Sequence, residues 1–339
     1  MTKVMKKKEK ITMNDIARQA GVSQATVSLI LNNSPAIKLS DETRQRVIGI
    51  AQKLGYKKIP APHQMEGQEE IAILVNAMPG YDPFVEAFNQ ARNAAWRNNA
   101  LLTIYDYGDD SELAIHIIRQ LEQRRCCGII LASPVTSAID FAPFDNCTRI
   151  PLVLLNIYDR NYPMVPAFLP NDYANALQVT RHLAEQGARR IAHITGDRWM
   201  DASQHRLEGY KAALAQTDIA FDPSLVIGTN WQLNESRCAT RQLMQSSSPP
   251  DAIFCASDWL ALGCYQALAE MQMTIPQQVM VAGYDDQHYT GQLAPELTSV
   301  QLPYAELGRL AVEYLCEGED AATQVMMTGK LRVRESTQR

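Results

Sequence analysis

Hydrophobic residues follow two regimes along this chain. Up to residue 55 they recur at helical spacing within short polar segments. From Ile71 onward they gather into runs of five to eight residues that alternate with amphipathic helical stretches. The first regime predicts three short helices over 12–55. Thr12 is placed to cap the first, with Asp15 three residues later as a capping-box-like partner, and Ile16 and Ala20 form its inner face. Gly21-Val22 makes the turn. Ser23 caps a second helix whose apolar side is Val27, Ile30 and Leu31, and Asn33-Ser34-Pro35 breaks it. Ser40 caps a third helix through Val47, Ile50, Ala51 and Leu54, which stops at Gly55. Lys57–Glu70 then holds two prolines, one glycine and no apolar period, which is the pattern of a linker.

The second regime places strands at 71–77, 101–107, 128–133, 151–156, 190–196, 225–229, 252–257 and 279–286. Helices are expected near 84–98, 111–123, 173–186, 204–215, 232–245, 259–271 and 304–316. Such alternation implies parallel sheets with helices on both faces. Eight strands suit two doubly wound lobes better than one sheet, with a closed (β/α)8 barrel as the alternative. In open α/β sheets ligands bind beyond the strand C-termini, so the residues just after these runs are the candidates for chemistry.

Charge sharpens the division. Residues 1–58 carry 12 Lys+Arg against four Asp+Glu, a net +8, so the other 281 residues hold −13 and the whole chain −5. A basic arm on an acidic body points to a polyanionic partner for the arm alone. No apolar run reaches the ~18 residues that span a bilayer, and the start MTKVMKKKEK has no secretory apolar core. A cytoplasmic location is expected. The seven cysteines lack CxxC spacing and are read as buried free thiols, and the six histidines show no metal-like spacing. The motifs GxxxxGK[ST], HExxH and GxSxG are missing, and the carboxylates of adjacent Asp285 and Asp286 diverge at a strand end. Neither an enzyme, a metal nor a cofactor is expected.

The stretch 11–56 resembles the DNA-binding domain of the LacI/GalR family of bacterial regulators. The resemblance rests on Asp15-Ile16-Ala17, Ala20-Gly21-Val22-Ser23, Thr26-Val27-Ser28, Leu31-Asn32, Ser40, Thr43-Arg44 and Leu54-Gly55-Tyr56. It implies a helix-turn-helix whose second helix enters the major groove. Gln24, Ala25 and Leu29 lie off the Val27/Ile30/Leu31 side. Gln24 can donate to and accept from an adenine edge, while Ala25 and Leu29 can touch thymine methyls. Solvation of Gln24 and core packing of Leu29 are the competing readings. Thr12, Thr26, Ser28 and Asn32 are assigned to phosphate contacts and positioning. The linker departs from the family, whose members commonly carry a hinge helix with a minor-groove leucine. Here the prolines oppose such a helix, and Met65 is the sole large apolar candidate.

From Ile71 to about Val333 the resemblance continues through Asp82-Pro83-Phe84, Gly187-Ala188-Arg189-Arg190, Arg206-Leu207-Glu208-Gly209-Tyr210, Ser257-Asp258, Gly283-Tyr284-Asp285-Asp286 and Leu297-Thr298-Ser299-Val300. It implies a two-lobed sensor like the periplasmic sugar-binding proteins. The expected domains are 1–58 (reader), 59–70 (hinge linker) and 71–339 (sensor). The lobes are expected near 71–165 with 302–327 and 166–301 with 328–339. Phe84, Asn156, Arg206, Trp231, Ser257 and Asp285 are the candidate effector residues. Trp231 supplies an aromatic face, Arg206 a planar fork for two oxygens, and Asp285 an acceptor. Trp231 could instead cover a lobe edge, and Arg206 could form a helix ion pair. Asn156 stands where relatives often carry an acid, and Leu302 where several carry glutamine. A sugar is the first choice of effector, with a purine or nucleoside second. The partners expected are double-stranded operator DNA and a second copy of the chain in a homodimer, without a membrane.

Overall fold

A computed structural model describes residues 12–31, 41–54, 69–78, 83–318 and 324–339. It divides into two compact units, Met1–Gly67 and Gln68–Arg339.

In the first unit, α1 spans Met13–Ala20, α2 Gln24–Leu31 and α3 Asp41–Lys53. The start of α1 is fixed by the Asp15 carboxylate, which accepts from the Thr12 amide at 2.9 Å and the Thr12 hydroxyl at 2.7 Å. An acid there also faces the positive end of the helix dipole. The helix ends at Gly21, whose φ of 65° lies in the left-handed region where a side chain is penalised. Two residues on, the Ser23 hydroxyl accepts the Thr26 amide at 3.1 Å and starts α2. Ile16, Ala17, Ala20, Val27, Ile30, Val47 and Ala51 form one buried cluster, so each helix contributes to a shared core. The expected stop at Asn33–Pro35 and the cap at Ser40 lie outside the described residues.

The second unit carries two parallel sheets. The first contains β1 (Glu69–Val75), β2 (Ala100–Asp106), β3 (Cys126–Ala138), β4 (Leu152–Tyr158), β5 (Ala167–Pro170) and β11 (Gln324–Met327), in the spatial order β2-β1-β3-β4-β5-β11. The second contains β6 (Ile191–Thr195), β7 (Val226–Gly228), β8 (Ala252–Cys255) and β9 (Met280–Ala282), ordered β7-β6-β8-β9. The helices between them are α4 (Val85–Arg97), α5 (Ser111–Leu121), α6 (Asp172–Glu185), α7 (Asp201–Gln216), α8 (Leu233–Met244), α9 (Asp258–Glu270) and α10 (Tyr304–Glu317). The central strands are buried on both faces, as in β1 from Ile71 to Val75, and this is why they read as continuous apolar runs.

Four short strands have no counterpart among the expected ones: β5, β11, and the antiparallel pair β10 (Ser299–Gln301) and β12 (Lys330–Arg332). β5 pairs with both β4 and β11, so the first lobe extends to Pro170 and the chain leaves it some five residues beyond the expected boundary of 165/166. Likewise, Glu69 and Glu70, read as the end of the linker, already pair with Ala100 and Leu101. Met65 and the rest of 59–68 lie outside the described residues.

The chain passes between the lobes near 170–172, 301–304 and 327–330, and these passages are laced together. The Asn171 amide donates to the Met327 carbonyl at 2.7 Å, the Gly329 amide to Asn175 Oδ1 at 2.7 Å, and Gln301 pairs with Lys330. The cysteines are free thiols, and Cys255 and Cys264 are buried. Cys238 and Cys316 are exposed, against expectation, because their helices α8 and α10 turn those positions outward.

Candidate functional site

In the reader unit, the residues of α2 divide by burial. Val27 and Ile30 sit in the core, whereas Gln24 is exposed and Leu29 is half-buried outside the core cluster. Gln24 therefore stands on the first turn of α2 with its amide facing solvent, as a base-reading side chain requires. Thr26 shares a 2.8 Å hydrogen bond with Ser23, and Ser28 is half-buried. Thr12 is exposed at the start of α1. The side chain of Ala25 and all of Asn32 lie outside the described residues.

The sensor's cleft is built at strand ends. Arg206, on the second turn of α7, is 6% exposed and sits against the ring of Tyr284, 3.8 Å from its centroid. Its Nε donates to Asp172 Oδ1 at 3.0 Å and its Nη1 to the Ala256 carbonyl. Burial alone would lower its pKa; the Asp172 carboxylate, with smaller contributions from Tyr284 and Asp285, reverses the sign, so the guanidinium stays charged. Arg206 also lies 5.7 Å from the Trp231 ring. Both readings of Arg206 therefore meet in one place. It is an ion pair and it lines a cavity of about 350 Å³ together with Trp231, Ser257 and Asp285.

Two of the backbones that frame this cavity adopt conformations that side chains rarely take. Trp231 has φ of 59° and Asp285 of 111°. For a residue as bulky as tryptophan this is an outlier, of the kind that clusters where a side chain must be aimed. The Trp231 ring lies over Gly196, where a Cβ would come within 2.0 Å of it, and its Nε1 donates to Met200 Sδ at 2.8 Å. Gly196 is thus the floor under the indole. Ser257 caps α9, its hydroxyl accepting the Leu260 amide at 3.2 Å.

Phe84 and Asn156 require correction as cavity residues. Phe84 is fully buried, edge-on to Phe88 and Tyr304, and belongs to the core of the first lobe. Asn156 is also fully buried, with φ of 62°. It accepts from the Thr136 hydroxyl at 2.7 Å and donates to the Ser133 carbonyl at 2.8 Å. Both stand behind the wall, and Thr136 and Tyr304 line the cavity in front of them. Val135, Trp259 and Gln287 line it too and were missed. The signal for Trp259 was its place directly after the Ser257-Asp258 match. A larger cavity, about 700 Å³, adjoins on the hinge side and shares Asp285 and Gln287. It is lined by Glu86, Asp286, Glu306 and Lys330, of which Asp286 is engaged by Arg334 and Glu306 by Arg309.

Two buried titratable groups support the cleft from below. Asp258 accepts from the Ser299 hydroxyl at 2.6 Å and the Gln287 amide at 2.8 Å, holding the 283–287 turn, and burial pushes its carboxyl up to about 7. His193, stacked between Phe254 and Tyr210, is held down to about 4 by burial. An acid with a raised pKa gives stability that is full below its unfolded value near 3.8 and is lost as pH rises toward 7. A histidine with a lowered pKa gives stability that is full above 6.5 and is lost as pH falls toward 4. The two slopes oppose each other between about pH 4 and 6.5. Relative to the native protein, Asp258→Asn should therefore gain stability as pH rises through that window, and His193→Phe should lose it. Urea denaturation across pH checks this, and parallel curves for all three proteins would refute it.

A buried chain of polar contacts leads from the cleft to the hinge. Beyond Arg206 and Asp172, the Tyr284 hydroxyl donates to Asp172 Oδ1 at 2.5 Å and accepts from Asn175 Nδ2 at 3.0 Å. Asn175 Oδ1 then receives the amide of Gly329, in the third passage between the lobes.

A helix-turn-helix on the same chain as a two-lobed, ligand-sized cleft defines a ligand-sensing DNA-binding regulator. Residues 12–58 match the family described as bacterial regulatory proteins, lacI family, and residues 180–337 match a periplasmic binding protein-like domain. The ribose operon repressor of Haemophilus influenzae is 32% identical over 312 residues, which is 90% of this chain and 91% of that protein. The transcriptional repressor CytR of Escherichia coli is 29% identical, covering 93% of this chain and 92% of its own length. Among solved structures, the transcriptional regulator CelR–cellobiose complex is similar with a TM-score of 0.66 and 26% identity, covering 96% of this chain and 99% of that one. The lac repressor dimer bound to operator and the anti-inducer ONPF shares the fold with a TM-score of 0.69 and 22% identity, covering 97% and 99%. The chain belongs to the lacI family of bacterial regulatory proteins. The names of these relatives describe repressors and regulators of transcription. Among the described residues no helix is long and apolar enough to cross a membrane.

Proposed function

We propose that the protein is a transcriptional repressor that binds operator DNA through its helix-turn-helix and releases or tightens that grip when a sugar occupies the cleft. One observation carries this reading: a charged Arg206 lines a ligand-sized cavity next to Asp285 and Trp231, on a chain that also carries a capped DNA reader. Arg206 and Asp285 supply a donor and an acceptor for hydroxyls, and Trp231 an apolar face for a ring. Gln24, Ala25 and Leu29 read bases, and Thr12, Thr26, Ser28 and Asn32 position the reader on the backbone. One such reader covers only a few base pairs, so the working form is a homodimer on inverted half-sites, acting in the cytoplasm.

The test is to select an operator from random duplexes and then titrate sugars while following fluorescence anisotropy. The reading expects one sequence to be enriched and at least one sugar to shift its affinity. Binding without sequence preference, or an affinity that no small molecule shifts, defeats it.

A further inference from the structure

Besides Arg206 and Asp285, the cleft cavity is lined by exposed apolar side chains that hydroxyl recognition does not explain. Val135 is 39% exposed and Trp259 47%, large hydrophobic side chains left facing solvent, and both line the cleft cavity. They come from opposite lobes. Val135 lies on β3 beyond the register break that follows Ala132, and Trp259 lies on the first turn of α9. Single exposed hydrophobics are ordinary, but two that enter one cavity from both sides of a cleft mark a surface meant to be covered.

Trp259 also stands on a rigid base. Its neighbour Ser257 caps the helix, and its neighbour Asp258 is fully buried and hydrogen-bonded to Ser299 and Gln287. A stiff aromatic platform loses little freedom when a flat group stacks on it. Val135 and Pro134 offer a sugar's hydroxyls no side-chain partner, and of the polar residues beside this patch Thr136 already donates to Asn156 and Ser257 already accepts the Leu260 amide.

We propose that Trp259 and Val135 form a specificity subsite for a flat apolar substituent. The effector is then a hydroxylated ring that carries an aromatic group, a chemistry shared by aryl glycosides and nucleosides. The polar ring lies at Arg206 and Asp285, and the aromatic group lies between the lobes against the Trp259 indole. This rests on the cleft being the effector site.

The test is calorimetric titration of the full chain with matched pairs: D-ribose against adenosine, and D-glucose against phenyl β-D-glucopyranoside. In at least one pair the aromatic member should bind about tenfold tighter or more. Trp259→Ala should remove that margin by weakening the aromatic member about tenfold more than the bare sugar, while Trp259→Phe should restore most of it. The pair that responds tells a nucleoside from a glycoside. A bare sugar that binds as tightly as its aromatic partner overturns the subsite, as does a Trp259→Ala protein that weakens both members equally. If that bare-sugar binding is lost in Arg206→Ala, the cleft remains the effector site and only the subsite falls. Binding by no member of either pair overturns the subsite, while the cleft as effector site falls only if the wider sugar titration also fails.

Discussion

Arg206→Ala should abolish the response to effector and should also destabilise the sensor by about 3–5 kcal/mol, the usual cost of breaking a buried ion pair from one side. The cost arises because the variant leaves the Asp172 carboxylate, with 1% of its side chain exposed, without its counter-charge. A second substitution separates the two effects. Arg206→Leu combined with Asp172→Leu removes both charges and should recover part of the stability, because neither partner is then left buried and alone. The effector response should stay absent in the pair, since the planar donor is gone. Urea denaturation measures the first effect and operator anisotropy with and without effector the second. Operator binding lost in the effector-free single variant would assign Arg206 to folding instead. A response regained in the pair would remove it from the ligand site.

Gln24→Ala should change which base is preferred at one position of each half-site. A good bidentate contact discriminates by about 1–3 kcal/mol, or about 5- to 150-fold between the right and wrong base. The side chain is exposed on the first turn of α2 and lies outside the buried cluster, so its loss should leave the stability of the reader unchanged. Lys→Ala changes among residues 3–10 should behave differently. They should weaken all duplexes alike and flatten the salt dependence, because phosphate contacts carry no sequence information. Binding selections on the two kinds of variant distinguish these outcomes. An unchanged base preference in Gln24→Ala would show that the wrong face of α2 had been assigned.

The long elements of this fold were legible because both of their signals are strong. Strands such as β1 and β4 are buried on both faces and read as apolar runs, and α1 announces itself through Thr12, Asp15 and Gly21. The strands that escaped notice are three or four residues long. β11 alternates exposed and half-buried positions, and β10 and β12 exist only by pairing with each other across some thirty residues of chain. No local pattern records a pairing of that kind.

The candidate site divides along the same line. Trp231, Ser257 and Asp285 follow strand ends and Arg206 sits early on α7, places that chain order makes candidates and that the family resemblance singled out for Arg206 and Trp231. Asn156 also follows a strand run, but its left-handed backbone directs the amide into the wall, where Thr136 and Ser133 satisfy it. Thr136 and Val135 reach the cleft because β3 continues past its register break, and a sequence shows only that Pro134 interrupts the run.

The lacing of the three interlobe passages has a mechanical consequence. Asn171 and Asn175, both at the start of α6, tie the first passage to the third, and Gln301 pairs the second with the third at Lys330. Three separate strands would let the lobes twist, slide and tilt independently. Bound to one another, they resist twisting and sliding of the lobes more than rotation about the line they share. The polar chain from Arg206 ends on the third passage at Gly329. A displacement of the guanidinium would therefore be felt at the passage that joins the lobes, through four consecutive hydrogen bonds.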